Sequence, residues 1–279
     1  MNAKPDQLYL SLLEKTLSFA LWEEPPAPVE AFANKRKPLK RWALETASRL
    51  LAKRKLGLVV LRTINQSDRD EGRYRPRYAT TMIGPKRLGN LRYCVETVLA
   101  EGIPGDLIET GVWRGGACIF MKAVLTAHGD TNRRVFVADS FAGLPAPDEE
   151  KYPADRGALW HTDSEYLAVT EPQVRANFDK FGLLDERVVF LRGWFKDTLP
   201  TLPSERLAVI RLDGDLYEST MDGFRNLYHK LSPGGFCIID DYGIDTCKQA
   251  VDDFRRDNGI TEELQTIDWT GRFWRKAKV

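Results

Sequence analysis

The chain has 279 residues, 43% apolar and 10% aromatic, enough for one large domain with a substantial core, alone or with a small appendage. Its net charge is +1, so the average field favours neither nucleic acid nor a membrane surface. Four cysteines without a CxxC pair and only three histidines (His128, His161, His229) argue against a disulfide framework and against zinc. The charged N-terminus is not a signal peptide, and no apolar run has the length of a membrane span. These features predict a cytoplasmic protein with no transmembrane segment and no nucleic-acid partner.

In chain order, Leu8, Leu12, Leu13 and Leu17 predict a helix over 7–21, which "EEPPAPVE" breaks. Residues 35–55 hold nine Lys/Arg against the single Glu45 and read as an amphipathic surface helix with Leu39, Ala43, Ala47 and Leu50 on one face. "EGRYRPRYATTMIGPKRLGN" reads as loop, and Leu91, Val95, Val98 and Leu99 mark the next helix. From there strands and helices alternate. Strands are predicted at 105–111, 134–141, 187–193, 207–215 and 234–243, with helices near 115–127, 171–182, 218–231 and 245–257 between most of them. Two final strands, 264–269 and 272–277, are separated by "TG" and predict an antiparallel hairpin. The pattern is an α/β, Rossmann-like, seven-stranded mostly parallel sheet with helices on both faces, the architecture of the class I methyltransferases.

In such sheets ligands bind beyond the carboxyl ends of the strands. The first strand ends in "ETGVWRGG", whose spacing lacks the G-x-G-x-x-G of a pyrophosphate cradle. The second ends in Asp139, 28 residues after Gly111, placed to accept hydrogen bonds from both ribose hydroxyls of an adenosine. The fourth and fifth end in "RLDGDLYEST" and "GGFCIIDDYG". Neighbouring strand ends lie about 5 Å apart, so Asp213, Asp240 and Asp241 converge and repel unless protonated or neutralised. Oxygen-only ligands point to Mg²⁺, Mn²⁺ or Ca²⁺.

The stretches "PGDLIETGVWRGGACIFMKAVL", "VADSFAGLP", "WFKDTLPTLP", "RLDGDLYESTMDG", "LSPGGFCIIDDYG" and "CKQAVDDFR" resemble the macrocin O-methyltransferase family. The likeness extends to "LYLSLLEKTL" and "TTMIGPKRLGNL" and so covers nearly the whole chain. It implies S-adenosylmethionine, a divalent metal (usually Mg²⁺), and methylation of a sugar hydroxyl on a glycosylated small molecule. Carried over by position, Glu109, Thr110, Gly111, Val112 and Trp113 line the cofactor, and Asp139 binds its ribose beside Ser140, Phe141, Ala142 and Gly143. Thr81, Met82, Trp194 and Phe195 complete that pocket. Asp213, Asp240 and Asp241 match the metal ligands, and Asp213 also the catalytic base. Because a carboxylate bound to a cation is a weaker base, Asp215, two residues on, is the alternative proton acceptor. The family commonly forms oligomers, so a homo-oligomer is expected.

The domain reading is an N-terminal helical cap over 1–90, including the basic stretch 35–62, and a catalytic domain over 91–279. Residues 142–169 are long for a connection and predict a mobile lid whose Tyr152, Trp160, His161 and Tyr166 stack on the acceptor. Three other readings compete: a phenol or catechol acceptor, a nicotinamide oxidoreductase, and a non-catalytic binding module acting through 35–55.

Overall fold

The apolar runs read from the sequence fold into one seven-stranded sheet. The structure, a computed structural model, describes residues 4–29, 38–61 and 63–278, so part of the basic stretch (35–37 and 62) lies outside the described residues. The strands are β1 (Asp106–Thr110), β2 (Val135–Asp139), β3 (Val188–Arg192), β4 (Leu207–Leu212), β5 (Leu231–Ile239), β6 (Gln265–Thr266) and β7 (Arg272–Arg275). Their spatial order is β3-β2-β1-β4-β5-β7-β6, and β7 runs antiparallel to both β5 and β6. The connections diverge between β1 and β4, which makes their carboxyl ends the switch point of the sheet.

The main helices are α1 (Pro5–Leu17), α2 (Pro38–Ala52), α3 (Pro85–Ala100), α4 (Gly116–Ala127), α5 (Glu171–Lys180), α6 (Tyr217–Leu227) and α7 (Asp245–Asp257). Strand side chains alternate between two helical layers. Leu107, Val135, Val209 and Phe236 pack with Leu17, Leu91 and Phe120 on one face. Ile108, Phe136, Ile210 and Cys237 pack with Phe224, Phe254 and Trp274 on the other. Each fully buried large side chain of this kind contributes roughly 1.5–3 kcal/mol.

Three boundaries differ from the sequence reading. Helix α1 stops at Leu17 because Phe19 takes a left-handed backbone (φ 57°); Leu10, Leu13 and Leu17 join the core, while Leu8 and Leu12 stay exposed. Helix α3 starts at Pro85, the favoured first position, and runs across the expected 90/91 domain boundary; its Leu88, Leu91 and Val95 belong to the same core cluster as the sheet. The closing hairpin turns over five residues rather than two. Asp268 Oδ1 draws in the N–H groups of Thr270 and Gly271 at 3.0 and 2.7 Å, which shortens β6 to two residues. On α2, the expected apolar face is open, with Leu39 83% and Leu50 61% exposed.

Candidate active site

The turn after β1 and the end of β4 close on each other. Gly111 has φ 81°, and a Cβ there would stand 1.8 Å from the Asp213 carbonyl oxygen, so only glycine fits. Hydrogen bonds from Gly111 N–H to the Ala138 carbonyl (2.9 Å) and from Asp213 N–H to the Thr110 carbonyl (3.0 Å) tie the three strand ends together. Three residues without glycine's freedom also adopt positive φ here: Trp113 (47°), Phe141 (54°) and Asp215 (55°). Such conformations concentrate where surrounding structure enforces a functional geometry.

Between these ends lies a cavity of about 200 Å³. Eight of the expected cofactor residues line it: Met82, Gly111, Trp113, Asp139, Ser140, Gly143, Trp194 and Phe195. The Asp139 carboxylate accepts Val112 N–H at Oδ2 (2.8 Å) and Phe141 N–H at Oδ1 (2.7 Å), which fixes its plane across the turn. Burial raises its pKa, opposed by those backbone donors.

Six expected residues do not reach the cavity. Glu109 is 2% exposed because its strand position faces α4. There it pairs with Arg211 across the sheet and accepts the Cys118 thiol at 2.8 Å. Thr110 and Val112 are buried in the strand end and turn, and Phe141 packs in the core beside Phe190. Thr81 is buried, its hydroxyl accepting Ile83 N–H, and Ala142 faces outward. Leu144, Pro145, Asp148 and Leu167 of the expected lid segment also line the cavity, together with Glu218 and Asp222, which sequence reasoning did not single out. The signal was present in part: Glu218 and Asp222 share a helix face just beyond "LDGD".

The aspartates sort into two groups. Asp213, Asp215 and Asp241 bring carboxylate oxygens within 4.8 Å of one another. Asp240, expected among the metal ligands, instead has each oxygen on an arginine: Oδ1 on Arg211, and Oδ2 on Arg87 at 2.5 Å. Arg211 also donates to Asp213 Oδ2 at 2.9 Å. Burial disfavours ionisation of Asp240, but Arg211 and Arg87 outweigh it and hold the carboxyl below its ordinary range. The other three move upward. Burial and then the Asp240 charge raise Asp213 well above normal against the pull of Arg211, and the same two causes bring Asp215 to about 6. Burial, then Asp215 and Asp213, raise Asp241.

Two carboxylates at such a spacing repel by roughly 3 kcal/mol at an effective dielectric near 20. The trio therefore calls for protons or a cation, and its all-oxygen donors fit Mg²⁺, Mn²⁺ or Ca²⁺. Asp215 itself is held by the Thr246 hydroxyl, which donates to its carbonyl at 2.6 Å.

The long connection 142–169 is pinned at two points. Asp155, fully buried, accepts Tyr217 N–H (2.6 Å) and Glu218 N–H (3.0 Å) and so caps the first turn of α6. The Tyr166 hydroxyl donates to the Pro76 carbonyl (2.9 Å), and Trp113 Nε1 donates to the Tyr166 carbonyl (2.9 Å). The aromatics expected to stack on the acceptor are used otherwise. Tyr152 packs on Tyr217, Tyr166 packs on Trp113, and neither Trp160 nor His161 lines the cavity, whose rings are Trp113, Trp194 and Phe195.

A family model described as Macrocin-O-methyltransferase (TylF) matches residues 6–276. The chain is similar to the 8-demethyl-8-(2,3-dimethoxy-alpha-L-rhamnosyl)-tetracenomycin-C 4'-O-methyltransferase of Streptomyces olivaceus, at 52% identity over 99% of this chain and 95% of that protein. It is similar to the mycinamicin III 3''-O-methyltransferase of Micromonospora griseorubida, at 48% identity over 79% and 88%. Among solved structures, the O-methyltransferase NovP superposes with a TM-score of 0.83 at 46% identity, covering 98% of this chain and 99% of that one. The calicheamicin methyltransferase CalS11 shares the fold at 18% identity, with a TM-score of 0.58 over 99% and 94%.

Proposed function

The chain belongs to the macrocin O-methyltransferase family and is an O-methyltransferase, and from that premise we propose that it moves a methyl group from S-adenosylmethionine to a sugar hydroxyl on a glycosylated natural product, with Mg²⁺ or a similar cation held by Asp213 and Asp241 of the aspartate trio. The observation that carries this reading is that one cavity is lined both by Asp139, whose carboxylate is set by backbone N–H groups, and by Asp213 and Asp215 of the aspartate trio.

The Asp139 carboxylate takes the backbone N–H groups of Val112 and Phe141 and, more weakly, the Ser140 hydroxyl, and its remaining lone pairs would serve a ribose hydroxyl. Met82, Trp113, Trp194 and Phe195 offer apolar surface for the rest of the nucleoside. At the trio, Asp213 and Asp241 would hold the cation, which when bound supplies a Lewis-acidic centre that eases deprotonation of a hydroxyl. Sequence reasoning gave proton transfer to Asp213. We favour Asp215 instead, because Asp213 already accepts Arg211 and would hold the cation, whereas Asp215 lines the same cavity and, among the described residues, accepts no arginine. Asp148, Glu218 and Asp222 would accept hydrogen bonds from the other sugar hydroxyls, and their fixed positions would orient the attacking oxygen.

Assembly as a homo-oligomer and a cytoplasmic location belong to the same proposal, as does a cap role for the N-terminal segments. The exposed Leu8 and Leu12 on α1 offer an apolar contact for the first. Met82 reaching the cavity supports the last. No helix among the described residues is long and apolar enough to cross a membrane.

Calorimetric titration of S-adenosylhomocysteine, with a mass-spectrometric screen of deoxysugar glycosides for gain of one CH₂, tests the reading. Nucleoside binding with cation-dependent methylation of a glycoside is the expected result. No nucleoside binding, or transfer only to phenols, would overturn it.

A further inference from the structure

Asp240 stands beside Asp241, yet the structure directs the two carboxylates to different partners. One arginine on Asp240 is local, since Arg211 lies on the neighbouring strand β4. The other comes from outside the sheet. Helix α3 brings Arg87 under the strand ends, where Nη1 donates to Asp240 Oδ2 (2.5 Å), Nε to Asp268 Oδ2 (2.9 Å) and Nη2 to the Glu71 carbonyl (3.4 Å). Only 7% of Arg87 is exposed. Space is reserved for its guanidinium: Gly72 has φ 61°, and a Cβ there would stand 2.8 Å from Nη2. Asp268 is itself immobilised by the turn N–H groups of Thr270 and Gly271.

A buried arginine costs desolvation, and this one is matched by two buried carboxylates in a geometry lysine cannot copy. Its consequence runs through the chain. Asp240 N–H donates to the Leu212 carbonyl (2.9 Å), and the Asp241 carbonyl accepts Ile244 N–H (2.8 Å), so the intervening backbone is held at both ends. With both Asp240 oxygens occupied by arginines, Asp241 is the member of the pair that turns to Asp213 and Asp215.

We propose that Arg87 is a positioning residue of the cation site: by clamping Asp240 against Asp268 it orients Asp241 and keeps the three carboxylates converged. Arg87 is absent from the residues lining the cavity and acts through Asp240. The inference rests on the cation reading above.

The test is Mn²⁺ binding, read from the electron paramagnetic resonance of the free ion, in the wild type, Arg87→Met and Arg87→Lys, beside calorimetry with S-adenosylhomocysteine. Loss of an outer partner of a ligating carboxylate typically weakens metal binding 10–100-fold. Arg87 acts one step further out, through Asp240, so Arg87→Met should lose about three- to tenfold in Mn²⁺ affinity, at or below the low end of that range. Arg87→Lys should recover part of that loss, and the nucleoside Kd should stay within about twofold throughout. A folded Arg87→Met that binds Mn²⁺ like the wild type overturns the proposal, and so does an equal loss of both ligands, which marks general collapse. If Arg87→Met does not fold, Arg87→Lys decides alone, because lysine keeps the charge without spanning both carboxylates; unchanged Mn²⁺ affinity then overturns it. A wild type that takes up no Mn²⁺ overturns the cation reading itself, and with it this one.

Discussion

Around Asp139 a carboxylate is steadied by backbone N–H groups, whereas around Asp213 carboxylates face carboxylates. The first is held by backbone N–H groups of the turn. The second is held by side chains whose charges oppose one another, so its state depends on protons and ions. On the proposed function, binding and chemistry are thereby divided: Asp139 would serve the cofactor and the aspartate trio the acceptor.

The sharpest way to break this division is Asp215→Asn. It should cut kcat by about 10²–10⁴-fold, the usual reach of general-base catalysis, and leave S-adenosylhomocysteine affinity within about twofold. Steady-state rates beside calorimetry check both halves, and an active variant would return proton transfer to Asp213. The mirror experiment is Asp139→Ala, which should weaken the nucleoside roughly 10²- to 10⁴-fold, the worth of two charge-assisted hydrogen bonds, while Mn²⁺ uptake is unchanged. Loss of both ligands in either variant would show that the two regions are one unit.

A third effect is smaller and depends on pH. Because Asp215 titrates near 6 in the folded protein against 3.8 ordinarily, the folded state holds the proton more tightly than the unfolded one. Stability of the cation-free protein should then fall as pH rises from about 4 to about 6, and added Mg²⁺ should offset the fall. Thermal unfolding across that range, with and without chelator, measures it; a rise in stability over the same window would contradict it. Smallest is Asp155→Ala, which uncaps α6 and should cost about 1–2 kcal/mol in urea unfolding. It should also raise KM for the acceptor more than it lowers kcat, since Glu218 on the cavity wall loses its anchored N–H.

Much of this was legible in the sequence, and the parts that were not share a cause. Alternation of apolar runs with helical segments identified the sheet, because a strand buried on both faces must be apolar throughout. Gly111 and Asp139 were legible because a turn and a strand end impose strong demands on single residues. Glu109 misled because its role lies in a cross-strand pair with Arg211, 102 positions away. The pairing of Asp240 was hidden for the same reason: two adjacent aspartates look alike until Arg87, 153 positions earlier, joins one of them. The start of α3 was hidden by "GPKRLGN", a loop-like composition in which Pro85 serves as a helix start.

The left-handed backbones of Trp113 and Phe141 bear on how this enzyme can be engineered. A bulky side chain in that region costs about 1–2 kcal/mol that glycine does not. A search for heat tolerance guided by backbone preference alone would therefore recommend replacing both. At Trp113 that advice would remove a wall of the cavity and the indole N–H that holds Tyr166. Selection for endurance and selection for turnover should thus diverge first at this position, and thermostable libraries are best built with it locked.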